Sequence, residues 1–113
     1  MASMVREFIS TSVFDKRWYS LNLTDDDLRE LQNLIMKNPS AGDIIVGTGG
    51  AKKTRYAIPG KGKSGGARII YADITLKRIV YLLLCYGKNE QDDLTDSQKK
   101  QIEKLIKTIK GEI

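Results

Sequence analysis

The chain has 113 residues, of which 41% are hydrophobic, 29% charged and 7% aromatic, so we expect residues 1–113 to form one small globular domain. It contains no histidine and one cysteine, which excludes Ser-His-Asp and Cys-His triads, imidazole acid–base pairs, histidine-ligated metals, intramolecular disulfides and cysteine-rich zinc sites. The formal net charge is +5, which favours a polyanionic partner.

The N-terminal half predicts one strand and two helices. Residues 5–9 favour a short strand, and the aromatic-containing segment after them favours a helix packed on the core. Thr24 followed by three aspartates predicts the start of a second helix, because a hydroxyl caps the first turn and its dipole favours anions. The helix should end near residue 37, since Asn38 precedes a proline. Its apolar stripe consists of Leu28, Leu31, Leu34 and Ile35.

The C-terminal half predicts three strands and a helix. We expect strands at 53–58, 67–74 and 78–86, joined by a Gly/Lys/Ser loop at 59–66 and a short turn. Such short links predict an antiparallel meander. A capping box at Thr95 and Gln98 opens the last helix. The order of elements predicts an α+β fold with helices packed on one side of a small antiparallel sheet.

Positive charge is concentrated in the middle of the chain. Residues 47–88 hold nine basic side chains and one acidic one, whereas the segments on either side are both net negative. Strand alternation places Lys53 and Arg55 on one face. The nine cations are Lys52, Lys53, Arg55, Lys61, Lys63, Arg68, Lys77, Arg78 and Lys88. If they share a surface, that surface attracts phosphates.

Other short motifs have structural explanations. The stretch 57–64 fits a relaxed phosphate-loop pattern, but a phosphate loop opens a helix, and Ile69-Ile70 predict a strand here. The aspartates at 25–27 and those at 92, 93 and 96 are interpreted as helix caps rather than metal ligands. No metal or cofactor is predicted.

Lysine and arginine alone support one relevant chemistry, which is RNA cleavage. The RNA 2′-hydroxyl supplies the nucleophile, and cations stabilise the charge that develops on phosphorus. Like-charge repulsion within a cluster also lets a lysine act as a general base. Phosphate binding without chemistry fits the same residues equally well.

The segment GDIIVGTGGAKKTRYAIPGKGKSGGARIIYADI, followed by VYLLLCYGKNEQDDLT, resembles the RelE superfamily of bacterial toxin–antitoxin toxins, and its HigB-type branch in particular. The resemblance covers about residues 42–105. It implies a microbial ribonuclease-like fold and an endoribonuclease that cleaves mRNA, commonly in the ribosomal A site. It also implies a neutralising antitoxin, HigA-like and carrying a helix-turn-helix, through which alone operator DNA would be bound.

The resemblance implies roles for individual residues. Lys53 and Arg55 match positions that contact the scissile phosphate, with Lys53 the better candidate for general base. Arg68 matches the arginine that stabilises the transition state, and Lys88 the lysine of a Gly-Lys pair after the last strand. Asn89 follows where several relatives carry arginine, and no tyrosine comes after Tyr86, so the general acid is unidentified.

RNA-binding roles follow for a second set of residues, namely Lys52, Lys61, Lys63 and Tyr71. Tyr71 either stacks on a base or packs in the core.

We therefore expect a metal-independent, ribosome-dependent mRNA endoribonuclease. The alternative is a non-catalytic RNA- or ribosome-binding inhibitor that uses the same basic face. DNA binding is less favoured because no helix is basic enough for a recognition helix. Without a membrane span or signal peptide, a cytoplasmic location is expected.

Overall fold

The computed structural model describes residues 5–58 and 66–111. Its strands are β1 (Glu7–Ser10), β2 (Asp43–Ile44), β3 (Lys52–Tyr56), β4 (Ala67–Ile74) and β5 (Ile79–Gly87). Its helices are α1 (Ser12–Ser20), α2 (Asp25–Lys37) and α3 (Asp96–Lys110), and a 3-10 turn at Thr75–Lys77 joins β4 to β5. Within the described ranges, no helix is both long and apolar enough to cross a membrane.

The strands form one sheet in the order β1-β5-β4-β3-β2. The predicted meander is confirmed, because β3, β4 and β5 pair antiparallel with their neighbours. The α+β fold class is also confirmed. The sheet is mixed rather than purely antiparallel, since β1 pairs parallel with β5. These two strands are far apart in sequence, so no short link fixes their relative direction.

Helices cover both faces of the sheet, so the predicted packing on one side is wrong. Ile69 and Tyr71 of β4 join a cluster with α1 and α2 residues, whereas Ile70 and Ala72 join a cluster with α3. Successive strand residues point to opposite faces. Because apolar side chains fill both faces of β4, both faces need a cover.

Local signals fix the helix ends where the sequence predicts them. Thr24 accepts a hydrogen bond from the backbone N–H of Asp27 at 3.1 Å, and the Asp27 carboxylate accepts one from the Thr24 N–H at 2.9 Å. Thr95 and Gln98 form the same reciprocal pair at 3.1 and 3.0 Å. The predicted apolar stripes are only partly buried, since Leu34 of α2 remains 49% exposed.

A buried ion pair ties the start of β1 to the end of β4. The Arg6 Nε donates to Asp73 Oδ1 at 2.7 Å and its Nη2 donates to Oδ2 at 3.2 Å, with side chains only 5% and 6% exposed. The hydrogen bond to Asp73 raises the pKa of Arg6. This two-pronged contact fixes the end of the sheet opposite the site described below.

The Gly47–Gly50 loop folds tightly against α3. Thr48 is fully buried, and its hydroxyl donates to the carbonyl of Ile45 at 2.7 Å and accepts from the N–H of Ala51 at 3.0 Å. Gly49 has φ +76°, and a Cβ there would lie 3.7 Å from Glu103 Cγ. The loop therefore needs glycine at this position for its backbone conformation, since a Cβ there would make only an ordinary contact with the helix.

Candidate active site

An open cleft of about 650 Å³ lies along the exposed edge of β3. The edge is exposed because β2 pairs only with Lys52 and Lys53, which leaves Arg55 beyond its end. We call this feature the cationic cleft. Its lining side chains are Lys53, Arg55 and Arg68 as cations, Asp43 and Asp92 as carboxylates, and Ala41, Gly42 and Thr54.

Strand register brings the three cations together. Arg55 of β3 stands directly opposite Arg68 of β4, and Lys53 stands opposite Ile70. Ile70 packs in the α3 cluster, so all three cations project from the α3 face of the sheet. Arg55 is exposed, while Lys53 and Arg68 are half-buried. Three residues that the sequence predicts to be catalytic thus line one cleft.

The two arginines share the cleft with Asp43 and Asp92. Within the described part of the chain, neither Arg55 nor Arg68 forms an ion pair. Like charges placed directly opposite in a sheet repel each other. An anion between these guanidinium groups would relieve the repulsion, and a phosphate is the anion that arginine forks match best.

Lys53 already has an anionic partner. Its ammonium lies 3.2 Å from Asp93 Oδ1, with the lysine side chain 31% exposed and the aspartate 77% exposed. Asp92, the neighbouring residue, lines the cleft itself. The loop between β5 and α3 therefore brings carboxylates to the cations, and an incoming phosphate competes with Asp93 for Lys53.

The capping interpretation of the aspartates holds for some of them only. Asp96 lies in the first turn of α3, as predicted, but Asp92 and Asp93 precede the helix, where Asp92 lines the cleft and Asp93 pairs with Lys53. Asp43, on the two-residue strand β2, pairs in register with Lys53 and is the second cleft carboxylate that sequence reasoning missed. The sequence indicates β2 only weakly, because a strand of two exposed residues has no apolar pattern.

Tyr86 stands beside Arg68 but does not reach the cleft surface. It pairs with Arg68 across β4 and β5, and its side chain is fully buried. Burial raises the pKa of Tyr86, Asp93 raises it further and the charge of Arg68 lowers it. The phenol is thus neutral and shielded, and it supports the cleft from below rather than touching a substrate.

Tyr71 packs rather than stacks. Its ring is 1% exposed, its hydroxyl donates to the Pro39 carbonyl at 2.9 Å, and it accepts from the Gly42 N–H at 3.1 Å. Burial raises the pKa of Tyr71. A base has no free ring face to stack on, so of the two predicted roles the structure supports packing. The tyrosine fixes the segment that forms one wall of the cationic cleft.

The remaining predicted site residues are not brought into the cleft. Lys52 faces the opposite side of the sheet from Lys53, as the period of a strand requires. Lys88 is exposed at the same end of the sheet as Arg68, with its N–H bonded to the carbonyl of Gly66 at 3.3 Å, but it does not line the cleft. Lys61 and Lys63 lie outside the described residues.

Comparison with known families supplies the decisive observation. A family model described as the RelE toxin of the RelE/RelB toxin–antitoxin system matches residues 7–112. The chain belongs to the RelE family. The match runs from β1 to the end of α3, so it includes every strand and helix given above, and it confirms the family that the motifs indicate. RelE membership makes the chain a toxin-family protein and implies an antitoxin as its partner.

The RelE cleft has the charge pattern of a phosphate site. In the described ranges, no group of three His, Cys, Asp or Glu side chains is placed to hold a metal ion. What the cleft does offer is three cations around a space that admits a phosphodiester, with two carboxylates at its rim. This arrangement can bind a polyanion, stabilise negative charge on phosphorus and accept a proton.

Proposed function

We infer that this RelE-family protein is the toxin of a type II toxin–antitoxin pair and a metal-independent, ribosome-dependent mRNA endoribonuclease of the HigB-like branch. The observation that carries the proposal is the convergence of Lys53, Arg55 and Arg68 on one open cleft. Cleavage of mRNA stops translation, and a HigA-like antitoxin with a helix-turn-helix neutralises the toxin.

Cleavage proceeds by attack of the RNA 2′-hydroxyl on the adjacent phosphorus. The bond to the 5′-oxygen breaks, which leaves a 2′,3′-cyclic phosphate and a 5′-hydroxyl end. Arg68 and Arg55 hold the non-bridging phosphate oxygens and stabilise the negative charge that grows on them. Lys88 contributes a further cation at the same end of the sheet.

Two kinds of group compete for the role of general base. Lys53 has this role in the resemblance, but here its ammonium is engaged by Asp93. The carboxylates of Asp43 and Asp92 line the same cleft. Asp43→Asn and Asp92→Asn separate the two, because a carboxylate base requires the charged oxygen that these variants lose, whereas a lysine base does not.

The test is a primer-extension map of one mRNA in a translating extract that contains chelator. Wild type should give discrete new ends in register with codons, and Arg68→Ala should lower their rate of appearance by about 10² to 10³-fold. Arg29→Ala is the matched control, because Arg29 is exposed on α2 away from the cleft. Cleavage by Arg68→Ala at the wild-type rate would refute the site.

A non-catalytic inhibitor is the second candidate, favoured by the burial of Tyr86, the tyrosine that pairs with Arg68 in the sheet. Without an accessible phenol, the leaving 5′-oxygen has no aromatic proton donor. End-group analysis decides between the candidates. Cyclic phosphate ends support the enzyme, and halted translation with intact mRNA supports the inhibitor.

A further inference from the structure

The short turn that follows β5 is held by the side chain of Glu90. The backbone N–H of Gly87 donates to Glu90 Oε1 at 2.7 Å, and the Glu90 N–H donates to the Gly87 carbonyl at 2.9 Å. The glutamate thus closes the turn both with its backbone and with its side chain. Its other carboxylate oxygen lies 3.6 Å from Nη1 of Arg17 on α1, which ties the turn to that helix.

The contacts of Glu90 lie within the protein rather than on the surface that would meet RNA. Gly87 is buried, and a Cβ there would lie 3.3 Å from Leu21 Cδ2 and 3.4 Å from Glu90 Oε1, so the end of β5 fits closely between α1 and this carboxylate. Glu90 does not line the cationic cleft. A carboxylate repels phosphate, so any contribution of Glu90 to an RNA site comes from the contacts that it makes within the protein.

The turn begins at Lys88, so its geometry determines where this lysine points. The Lys88 N–H donates to the Gly66 carbonyl at 3.3 Å, which extends the pairing of β4 with β5 by one residue. Strand alternation then places Lys88 on the same face as Tyr86, two residues earlier, and Tyr86 pairs with Arg68. Lys88 therefore lies on the cleft face of the sheet, beyond the end of the cleft that holds Arg68.

We propose that Glu90 is a positioning residue for the cleavage reaction and that it acts through Lys88. This inference rests on the proposed function and adds to it a residue that does not itself touch RNA. By accepting the Gly87 N–H, the carboxylate fixes the turn in the conformation that directs Lys88 toward a phosphate held by Arg68. Lysine has a long and flexible side chain, so a fixed backbone limits the positions that its ammonium samples before it meets the phosphate.

The experiment measures the rate of mRNA cleavage in the translating extract for variants of the full chain. Glu90→Ala removes the acceptor of the Gly87 N–H, whereas Glu90→Gln keeps an oxygen there and loses only the charge that faces Arg17. The matched control is Asp26→Ala, which removes another exposed carboxylate from an ion pair with an arginine, on α2. Lys88→Ala, alone and combined with Glu90→Ala, completes a double-mutant cycle. Thermal unfolding checks that every variant is folded under the assay conditions.

Glu90→Ala should cleave about tenfold more slowly than wild type, and no more slowly than Lys88→Ala, because a small displacement of a reacting group lowers the rate by this order. Glu90→Gln should stay within about fivefold of wild type, since an exposed ion pair contributes little, and the control should cleave like wild type. In the Lys88→Ala background, Glu90→Ala should lower the rate by about twofold at most. Amide hydrogen exchange at Gly87 should be faster in Glu90→Ala and unchanged in Glu90→Gln.

Cleavage by Glu90→Ala at the wild-type rate, or unchanged exchange at Gly87 in this variant, would overturn the inference. So would a loss that Glu90→Gln shares in full, which would assign the role to the charge. A loss that persists in full without the Lys88 ammonium would overturn it as well, because the role would then belong to the loop as a whole. The proposed function fails in a different way, since the wild-type protein would then leave mRNA intact, and this inference would fail with it.

Discussion

Replacing Tyr71 with phenylalanine tests whether this residue positions the wall of the cleft or stacks on RNA. The change removes one hydroxyl and keeps the ring, so a stacking role would survive it. In the structure that hydroxyl bridges the Pro39 carbonyl and the Gly42 N–H, and Gly42 lines the cationic cleft. Loss of both bonds in a partly buried place should cost about 1 to 3 kcal/mol of folding free energy.

For a chain of this size, a loss of 2 kcal/mol lowers the midpoint of thermal unfolding by about 10 °C. The control is Tyr81→Phe, because the Tyr81 hydroxyl makes no hydrogen bond within the described residues. Calorimetry supplies the stability, and cleavage in the translating extract supplies the function, which should fall as the 38–43 segment loosens. A Tyr71→Phe protein with an unchanged midpoint would refute the bridging role.

Three further predictions address the ion pair, the thiol and the paired arginines. Asp73→Ala removes the carboxylate that the buried Arg6 binds through two hydrogen bonds and should cost about 3 to 5 kcal/mol in urea unfolding, whereas exchanging both residues for apolar ones should restore much of the loss. Burial raises the pKa of Cys85 to about 12, so iodoacetamide should leave the folded protein unlabelled at pH 9. The unfolded protein should react at the same pH, and rapid labelling of the folded protein would contradict the buried position of the thiol. Arg55→Thr removes the repulsion between this residue and Arg68 on the neighbouring strand, so it should stabilise the fold by about 0.2 to 1 kcal/mol while weakening RNA binding. A lower midpoint of thermal unfolding in this variant would contradict the predicted stabilisation.

Elements with local signals were predicted closely. The bounds of β4 agree with the prediction, and both capping boxes form, because strand alternation and cap hydrogen bonds involve residues a few positions apart. The placement of helices was wrong because it depends on distant pairings. The Ile69-Ile70 pair nevertheless indicates helices on both sides of the sheet, since adjacent apolar residues in a strand predict burial on both faces.

For a similar reason, the sequence predicts the cations of the site but not their acidic neighbours. The cations are dense enough in sequence to stand out, and the strand period places Lys53 and Arg55 on one face without any structure. The same period would have separated Lys52 from Lys53, but Lys52 was predicted to bind RNA as well. The acidic partners come from other parts of the chain. Asp43 reaches the cleft through the pairing of β2 with β3, and Asp93 reaches Lys53 across 40 positions. Contacts of this range leave no periodic pattern, so only the fold reveals them.

The cleft also explains why the fold keeps an arrangement that costs stability. Arg55 faces Arg68 directly, although a threonine at either position would suit a β-strand better. A nearby loop carries Asp92 and Asp93, yet its ion pairs go to Lys53 and Arg17. The two arginines are thus left for a ligand with charge on several oxygens, and binding such a ligand stabilises the fold by mass action. Sequence-independent attraction to phosphate follows from this geometry, so under the proposed function the selection of the cleaved bond would fall to whatever presents the RNA to the cleft.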